Sequence, residues 1–153
     1  MRKLILAVSF LTSAALSAPL QVSAQTSLDV IAAFTNQRGS TLYIENVDQN
    51  GQISGYFVNR AAGFQCQGTP YPMVGWVLVN TISFTVQWEN QTQNCNSITA
   101  WAGYFSADGN TITTNWVMAV SGSTTILQGQ DTFTRSAQRQ SPSLVPPGVR
   151  PRD

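Results

Sequence analysis

The chain has 153 residues, of which 42% are hydrophobic and 10% charged, with 8 basic and 7 acidic side chains, two cysteines and no histidine. This length suits one domain with a substantial core. The balanced charge gives no basic footprint for nucleic acid, the lack of histidine excludes histidine-based acid–base catalysis and metal ligation, and two cysteines are too few for a structural zinc site on their own.

The first 24 residues have the pattern of a secretory signal peptide. Arg2 and Lys3 precede an apolar run over residues 4–16, and small residues ending at Ala24 form a cleavage site. An apolar run this short does not cross a bilayer as a stable helix, so we do not expect a membrane anchor. The pattern predicts export, either to the periplasm or into the medium.

Eight segments with period-2 alternation of β-branched and aromatic residues follow the signal peptide. Turn sequences such as Asp48-Gln49-Asn50-Gly51 separate most of them. Eight short strands in succession favour an all-β fold, an eight-stranded antiparallel up-and-down barrel, which has no exposed edges and is about the size that holds one small ligand. A β-sandwich fits less well because no long Greek-key connection is visible. The barrel is predicted over residues 25–137, with strands near residues 31–36, 40–47, 52–60, 71–79, 81–88, 97–106, 111–119 and 124–135.

Alternation within the strands predicts which side chains face inwards. In the sixth strand Ser97, Thr99 and Trp101 share one face, and two hydroxyls with an indole suit a small ligand that has polar atoms and an apolar body. A solvent-facing strand with one packed Trp would show the same pattern. The other strands add polar and aromatic residues at the same end of the barrel, namely Asn36, Ser40, Phe57, Asn59, Trp88, Trp116 and Asp131.

The predicted pocket has the composition of a binding site. It contains one carboxylate, from Asp131, among neutral hydrogen-bonding groups. A hydrolytic site would need a second carboxylate, an activated nucleophile or a metal. We therefore expect neither an enzyme nor a cofactor.

Five motifs occur in the order found in the avidin/streptavidin family, and together they resemble it over roughly residues 30–135. They are Asn36-Gln37-Arg38-Gly39-Ser40-Thr41, Gly75-Trp76 through Trp88-Glu89-Asn90, Ser97-Ile98-Thr99-Ala100-Trp101, Thr114-Asn115-Trp116 and Gly129-Gln130-Asp131-Thr132-Phe133. The resemblance implies biotin as the ligand. It implies that Asn36 and Ser40 donate to the ureido oxygen and that Asn59 and Asp131 accept from the ureido nitrogens. It further implies that Thr99 approaches the ring sulfur and Ser97 the carboxylate, while Trp88, Trp101 and Trp116 enclose the ligand.

Two departures from the family pattern affect these expectations. Phe57 stands where the family usually has Tyr, so one donor to the ureido oxygen is missing, and binding should be weaker by about 1 kcal/mol. The connection Ser121-Gly122-Ser123 carries no Trp, whereas in tetrameric relatives a Trp of this loop caps the ligand of a neighbouring subunit.

The two cysteines are expected to form a disulfide. Export would place them in an oxidising compartment, where two cysteines of a small domain usually pair. Cys66 and Cys95 fall in two loops expected at the same end of the barrel, a pattern that resembles the dimeric avidin branch, and a bridge would hold both loops near the ligand. Because Val74, Trp76 and Val117 are expected to point outwards, we predict a homodimer.

Residues 138–153 are Pro-rich and should form an extended or disordered tail. A secondary hypothesis is that this tail enters the open site of a neighbouring copy. A lipocalin-like barrel that carries another small ligand remains the alternative function, although the Gly-x-Trp expected near its first strand is absent and the pocket is polar for a lipid.

Overall fold

Eight antiparallel strands form a closed barrel in which each strand pairs with its neighbours in sequence and β1 pairs with β8. The structure, a computed structural model, describes residues 30–136. The predicted signal peptide and the Pro-rich tail lie outside the described residues. The strands are β1 (Ala33–Asn36), β2 (Thr41–Val47), β3 (Gln52–Val58), β4 (Pro70–Leu78), β5 (Thr81–Trp88), β6 (Ser97–Phe105), β7 (Thr111–Val120) and β8 (Ile126–Arg135).

The two ends of the barrel differ in their connections. Because successive strands alternate in direction, the connections 37–40, 59–69, 89–96 and 121–125 lie at one end, which we call the mouth. The connections 48–51, 79–80 and 106–110 lie at the opposite, filled end, and the two longest connections, 59–69 and 89–96, are at the mouth. Both ends of the described chain also leave the barrel at the filled end, where the Ser136 backbone N–H donates to the Ala33 carbonyl at 2.8 Å.

The barrel interior changes from apolar to polar towards the mouth. Near the filled end the inward side chains are almost fully buried and apolar, and they include Phe34, Ile53, Ile82, Phe105, Ile112 and Phe133. Burial of a side chain of this size stabilises the fold by about 1.5–3 kcal/mol. Above this layer the Trp101 ring stacks on Phe84 at a centroid distance of 4.8 Å and on Phe57 at 4.9 Å. These three rings form the floor beneath the mouth.

The predicted all-β barrel is confirmed, and every strand end lies within two residues of its expected position. The third strand ends at Val58 rather than at residue 60, because the Asn59 Oδ1 accepts the Ala61 backbone N–H at 3.0 Å and turns the chain out of the ladder. In β2 the pairing with β3 shifts between Ile44 and Asn46. This shift bends the wall locally, as a bulge does. Across residues 30–136 there is no helix of the length and apolarity needed to cross a membrane.

Candidate ligand-binding site

A cavity of about 290 Å³ opens at the mouth and reaches down to the aromatic floor. A volume of this order suits one small molecule. The structure brings all the predicted pocket residues together, because each of Asn36, Ser40, Phe57, Asn59, Trp88, Ser97, Thr99, Trp101, Trp116 and Asp131 lines this cavity. Ser97 is half-buried at the rim, and the others are buried.

Four polar residues follow one another around one half of the wall. Asp131 lies on β8, Asn36 at the end of β1, Ser40 just before β2 and Asn59 just after β3. Since these strands are neighbours in the closed sheet, the side chains meet the cavity in that order. Strands β5, β6 and β7 supply the indoles of the opposite half.

Asn36 is held with its amide nitrogen available to the cavity. Its Oδ1 accepts the backbone N–H groups of Arg38 at 3.0 Å and Ser40 at 2.9 Å. The oxygen is thereby turned to the β1–β2 loop, and Nδ2 remains as a donor. The Ser40 hydroxyl accepts the Arg60 backbone N–H at 2.9 Å and lies 3.3 Å from the Asn59 Oδ1, to which it donates.

Asn59 presents its amide oxygen to the cavity, whereas Asn36 presents its amide nitrogen. Its Nδ2 donates to the Gln65 carbonyl at 3.0 Å, and its Oδ1 accepts the Ala61 N–H and the Ser40 hydroxyl. Because backbone N–H groups can only donate, the amide orientation follows from these contacts. Asn59 therefore offers an acceptor at the cavity wall.

Asp131 is an acceptor held from two sides. Its Oδ2 accepts the Trp101 Nε1–H at 2.9 Å, and its Oδ1 accepts the Gln37 Nε2–H at 3.2 Å. Gln37 is itself fixed to β8, since its Oε1 accepts the Thr132 backbone N–H at 2.9 Å. Sequence reasoning did not predict this role of Gln37, although the residue lies beside Asn36 in a recognised motif.

The aromatic half is also fixed by specific contacts. The Trp88 Nε1–H donates to the Thr99 hydroxyl at 2.8 Å, which leaves the hydroxyl hydrogen of Thr99 available to a ligand. Trp116 lies directly against the backbone of β8, and a Cβ on Gly129 would stand 2.6 Å from its Cζ2. A side chain at position 129 would therefore displace this indole.

Part of the β3–β4 loop closes over the mouth, and we call residues 61–66 the cap. Ala61, Gly63, Phe64 and Gln65 line the cavity, and the Phe64 ring packs edge-on to Trp116 at 6.4 Å. The predicted disulfide is confirmed, since Cys66 is bonded to Cys95 of the β5–β6 loop.

Phe64 could not be predicted from the sequence because it lies in a loop, where alternation gives no information about side-chain direction.

Cys95 also lines the cavity, and the Ser97 hydroxyl donates to its carbonyl at 2.8 Å. Within the described part of the chain, no group of three or more His, Cys, Asp or Glu side chains could hold a metal ion.

Comparison with known proteins places these features in a family context. The family model described as the avidin family matches residues 24–136. Afifavidin from Afifella pfennigii is 46% identical over 121 residues, which are 75% of this chain and 76% of that protein. The solved structure of apo shwanavidin is 44% identical with a TM-score of 0.67, covering 73% of this chain and 99% of that one. The rhizavidin–biotin complex is 44% identical with a TM-score of 0.64, covering 74% of this chain and 98% of that one.

Proposed function

Because this chain belongs to the avidin family, we propose that its cavity binds biotin, one molecule per barrel, without catalysing a reaction on it. The observation that carries the proposal is the order of polar groups around the wall. An acceptor from Asp131 is followed by the Asn36 amide donor, the Ser40 hydroxyl and an acceptor from Asn59.

This order complements a ureido group. Biotin presents N–H, C=O and N–H in succession, so the two N–H groups would meet Asp131 and Asn59 while the oxygen meets Asn36 and Ser40. Each buried polar atom of the ring then has a partner, which matters because an unpaired one costs about 1–3 kcal/mol. The bond to Asp131 would be charge-assisted and therefore the strongest of the set.

The other half of the cavity would enclose the rest of biotin. Trp88, Trp101 and Trp116 would contact the bicyclic ring and the valerate chain. The Thr99 hydroxyl would face the ring sulfur, and Ser97, at the rim, would face the carboxylate. Phe57 contributes only apolar surface, so the ureido oxygen would have two side-chain donors, Asn36 and Ser40. Ser40 would turn its one hydroxyl hydrogen from Asn59 to the ligand, which would free a lone pair of the Asn59 Oδ1 for the ureido N–H.

The engagement of the polar groups supports the proposal of binding without turnover. Both oxygens of Asp131, the carboxylate that lines the cavity, already accept hydrogen bonds. The Thr99 hydroxyl accepts from Trp88, and no base contacts it among the described residues. These groups are arranged to hold a ligand and have no activated nucleophile among them.

Calorimetric titration of the full protein with biotin tests this function. We expect saturation at one biotin per chain and recovery of biotin with unchanged mass. A fatty acid or retinoid, the ligand class of the lipocalin-like alternative, should not compete. An absence of both heat and thermal stabilisation at micromolar biotin would refute the proposal.

A homodimer is also proposed, on the basis of the outer surface of the sheet. Large apolar side chains are exposed there, including Trp76 at 54%, and the others are Val74, Ile98, Val117 and Ile126. These side chains lie on β4, β6, β7 and β8. A soluble monomer rarely exposes a large apolar patch, and a two-fold contact is the commonest way to cover one. In light scattering we expect a dimer mass, which Val117→Arg should reduce to that of a monomer. Asn46→Arg, on the polar outer surface of β2, should leave the dimer mass unchanged.

Export to the periplasm or the medium is proposed from the signal-peptide pattern and from the Cys66–Cys95 disulfide, since such bonds persist in oxidising compartments. N-terminal sequencing of the exported protein should give a chain that begins at Gln25. A cytoplasmic protein that retains Arg2 and Lys3 would contradict this proposal. Insertion of the tail into a neighbouring site remains a further hypothesis about residues 138–153.

A further inference from the structure

We propose that Gln93, in the β5–β6 loop, is a positioning residue for ligand binding. It holds one peptide group of the cap, and this peptide group in turn orients the Asn59 amide that faces the ligand. The inference rests on the proposed binding of biotin. Gln93 is half-buried and is not among the residues that line the cavity. Its effect would therefore be transmitted through the residues between it and the ligand.

The connection runs through the peptide group between Gln65 and Cys66. At one end of this group the Cys66 N–H donates to the Gln93 Oε1. At the other end the Gln65 carbonyl accepts the Asn59 Nδ2–H at 3.0 Å. Asn59 then offers its Oδ1 to the cavity. Gln93 and the ligand-facing oxygen are thus joined by two hydrogen bonds and two planar amide groups, the Gln65–Cys66 peptide and the Asn59 side chain.

The disulfide does not make Gln93 redundant. It holds the Cα atoms of Cys66 and Cys95 6.0 Å apart, but rotation about its single bonds leaves the direction of the Cys66 N–H free. Cys66 has a positive φ of 57°, a conformation that residues other than glycine seldom adopt. Gln67 also fixes the cap, since its Nε2 donates to the Ala61 and Phe64 carbonyls, but neither of these bonds engages the Cys66 N–H. Gln93 accepts this N–H, and thereby sets the direction of the Gln65 carbonyl.

The polarity of the connection adds a second effect. The Cys66 N–H donates to Gln93, the Asn59 N–H donates to Gln65, and a ureido N–H of biotin would donate to Asn59. Amides joined in one direction polarise one another, which strengthens each bond in a low-dielectric interior. Gln93 would therefore make Asn59 a better acceptor as well as a better oriented one.

The test compares biotin dissociation from variants of position 93, measured by chase with excess unlabelled biotin. Gln93→Met keeps the length of the side chain and removes the acceptor, and it should speed dissociation by up to about fivefold, the factor reached when the loss of one neutral hydrogen bond is transmitted in full to the ligand. Gln93→Glu keeps an acceptor oxygen and should restore the rate to within about twofold of the original. Gln91→Met is the matched control, since Gln91 is exposed in the same loop.

A double-mutant cycle separates positioning through Asn59 from a general loosening of the cap. If the proposed connection operates, Gln93→Met has less than a twofold effect in an Asn59→Ala background, with the disulfide intact by mass spectrometry. The inference is overturned if Gln93→Met leaves the rate unchanged or accelerates dissociation equally in both backgrounds. If Gln93→Met does not fold, Gln93→Asn serves in its place, because the shorter side chain cannot bring its oxygen to the Cys66 N–H. Failure of the unaltered protein to bind biotin would instead refute the proposed function, and this inference with it.

Discussion

Replacing Asp131 by alanine is expected to weaken biotin binding by about 3 kcal/mol, or roughly a hundredfold in Kd. The carboxylate is only 4% exposed, so its contacts are little screened by water. A hydrogen bond to a charged group contributes about 1.5–3 kcal/mol. The loss should fall at the upper end of this range, because the truncation also leaves a ligand N–H and the Trp101 N–H without their acceptor. The Gln37 amide would keep its bond to the Gln130 carbonyl and lose only the one to Asp131.

The structure also predicts how a conservative change should behave. Asp131→Asn keeps the shape and one acceptor oxygen, but its NH₂ group must face the ligand, Trp101 or Gln37, all of which donate. The loss of biotin affinity for Asp131→Asn should therefore lie between zero and the loss for Asp131→Ala. Asp108→Asn removes the same charge at the filled end of the barrel and should leave biotin affinity unchanged.

Titration calorimetry of the three variants, with displacement titration for the tightest, measures these effects. Thermal unfolding without ligand shows whether each variant has folded. A loss of less than fivefold for Asp131→Ala would mean that its carboxylate supports the barrel and does not receive the ligand.

Three further outcomes are expected. Phe64→Ala removes the cap ring from Trp116 and should speed biotin dissociation by about tenfold; an unchanged chase rate would show that the cap does not retain the ligand. Replacing Cys66 and Cys95 together by serine should lower the free energy of unfolding in urea by about 3 kcal/mol, because the bridge closes a segment with a sequence separation of 29; an unchanged midpoint would contradict this. Hydrogen bonds from the Ser106 hydroxyl and from Asn110 lower the pKa of Asp108 from 3.8 to about 2. Because this folded-state pKa is depressed, ionised Asp108 stabilises the fold above pH 4, and the stabilisation is lost as the pH falls towards 2. The melting temperature of Asp108→Ala should therefore decline less between pH 5 and pH 2 than that of the unaltered protein; a parallel decline would exclude this contribution.

Most of the predicted residues that line the cavity have their direction determined by a strand, and Ser40 and Asn59 lie one residue beyond a strand end. Trp101 and Thr99 lie two residues apart in β6, so strand alternation sends both to the same side, and the barrel closes that side into the cavity. Their assignment to biotin came from the order of the motifs, because alternation predicts the direction of a side chain and does not identify a ligand.

Loop residues could not be predicted in this way. Phe64 lies in a loop segment between Gly63 and Cys66, both of which have positive φ, so strand alternation does not apply to it. The contact of Gln93 with Cys66 joins residues 27 apart in sequence and depends on how two loops meet at the mouth. No local pattern encodes such a meeting. Residues such as Gln37 and Gln93, which hold the cavity-lining side chains in place, could therefore be identified only from the structure.

The position of the two ends of the described barrel, at residues 30 and 136, has a practical consequence. Ser136 pairs with Ala33 at the filled end, so both ends of the described barrel leave it on the side remote from the mouth. A support or fusion partner joined at either end would therefore lie behind the binding site and leave the entrance facing the solution. Coupling through the mouth loops would have the reverse effect, since it would place the support beside the cap. In an immobilised format, the direction of attachment alone would then decide how much of the protein can capture its ligand.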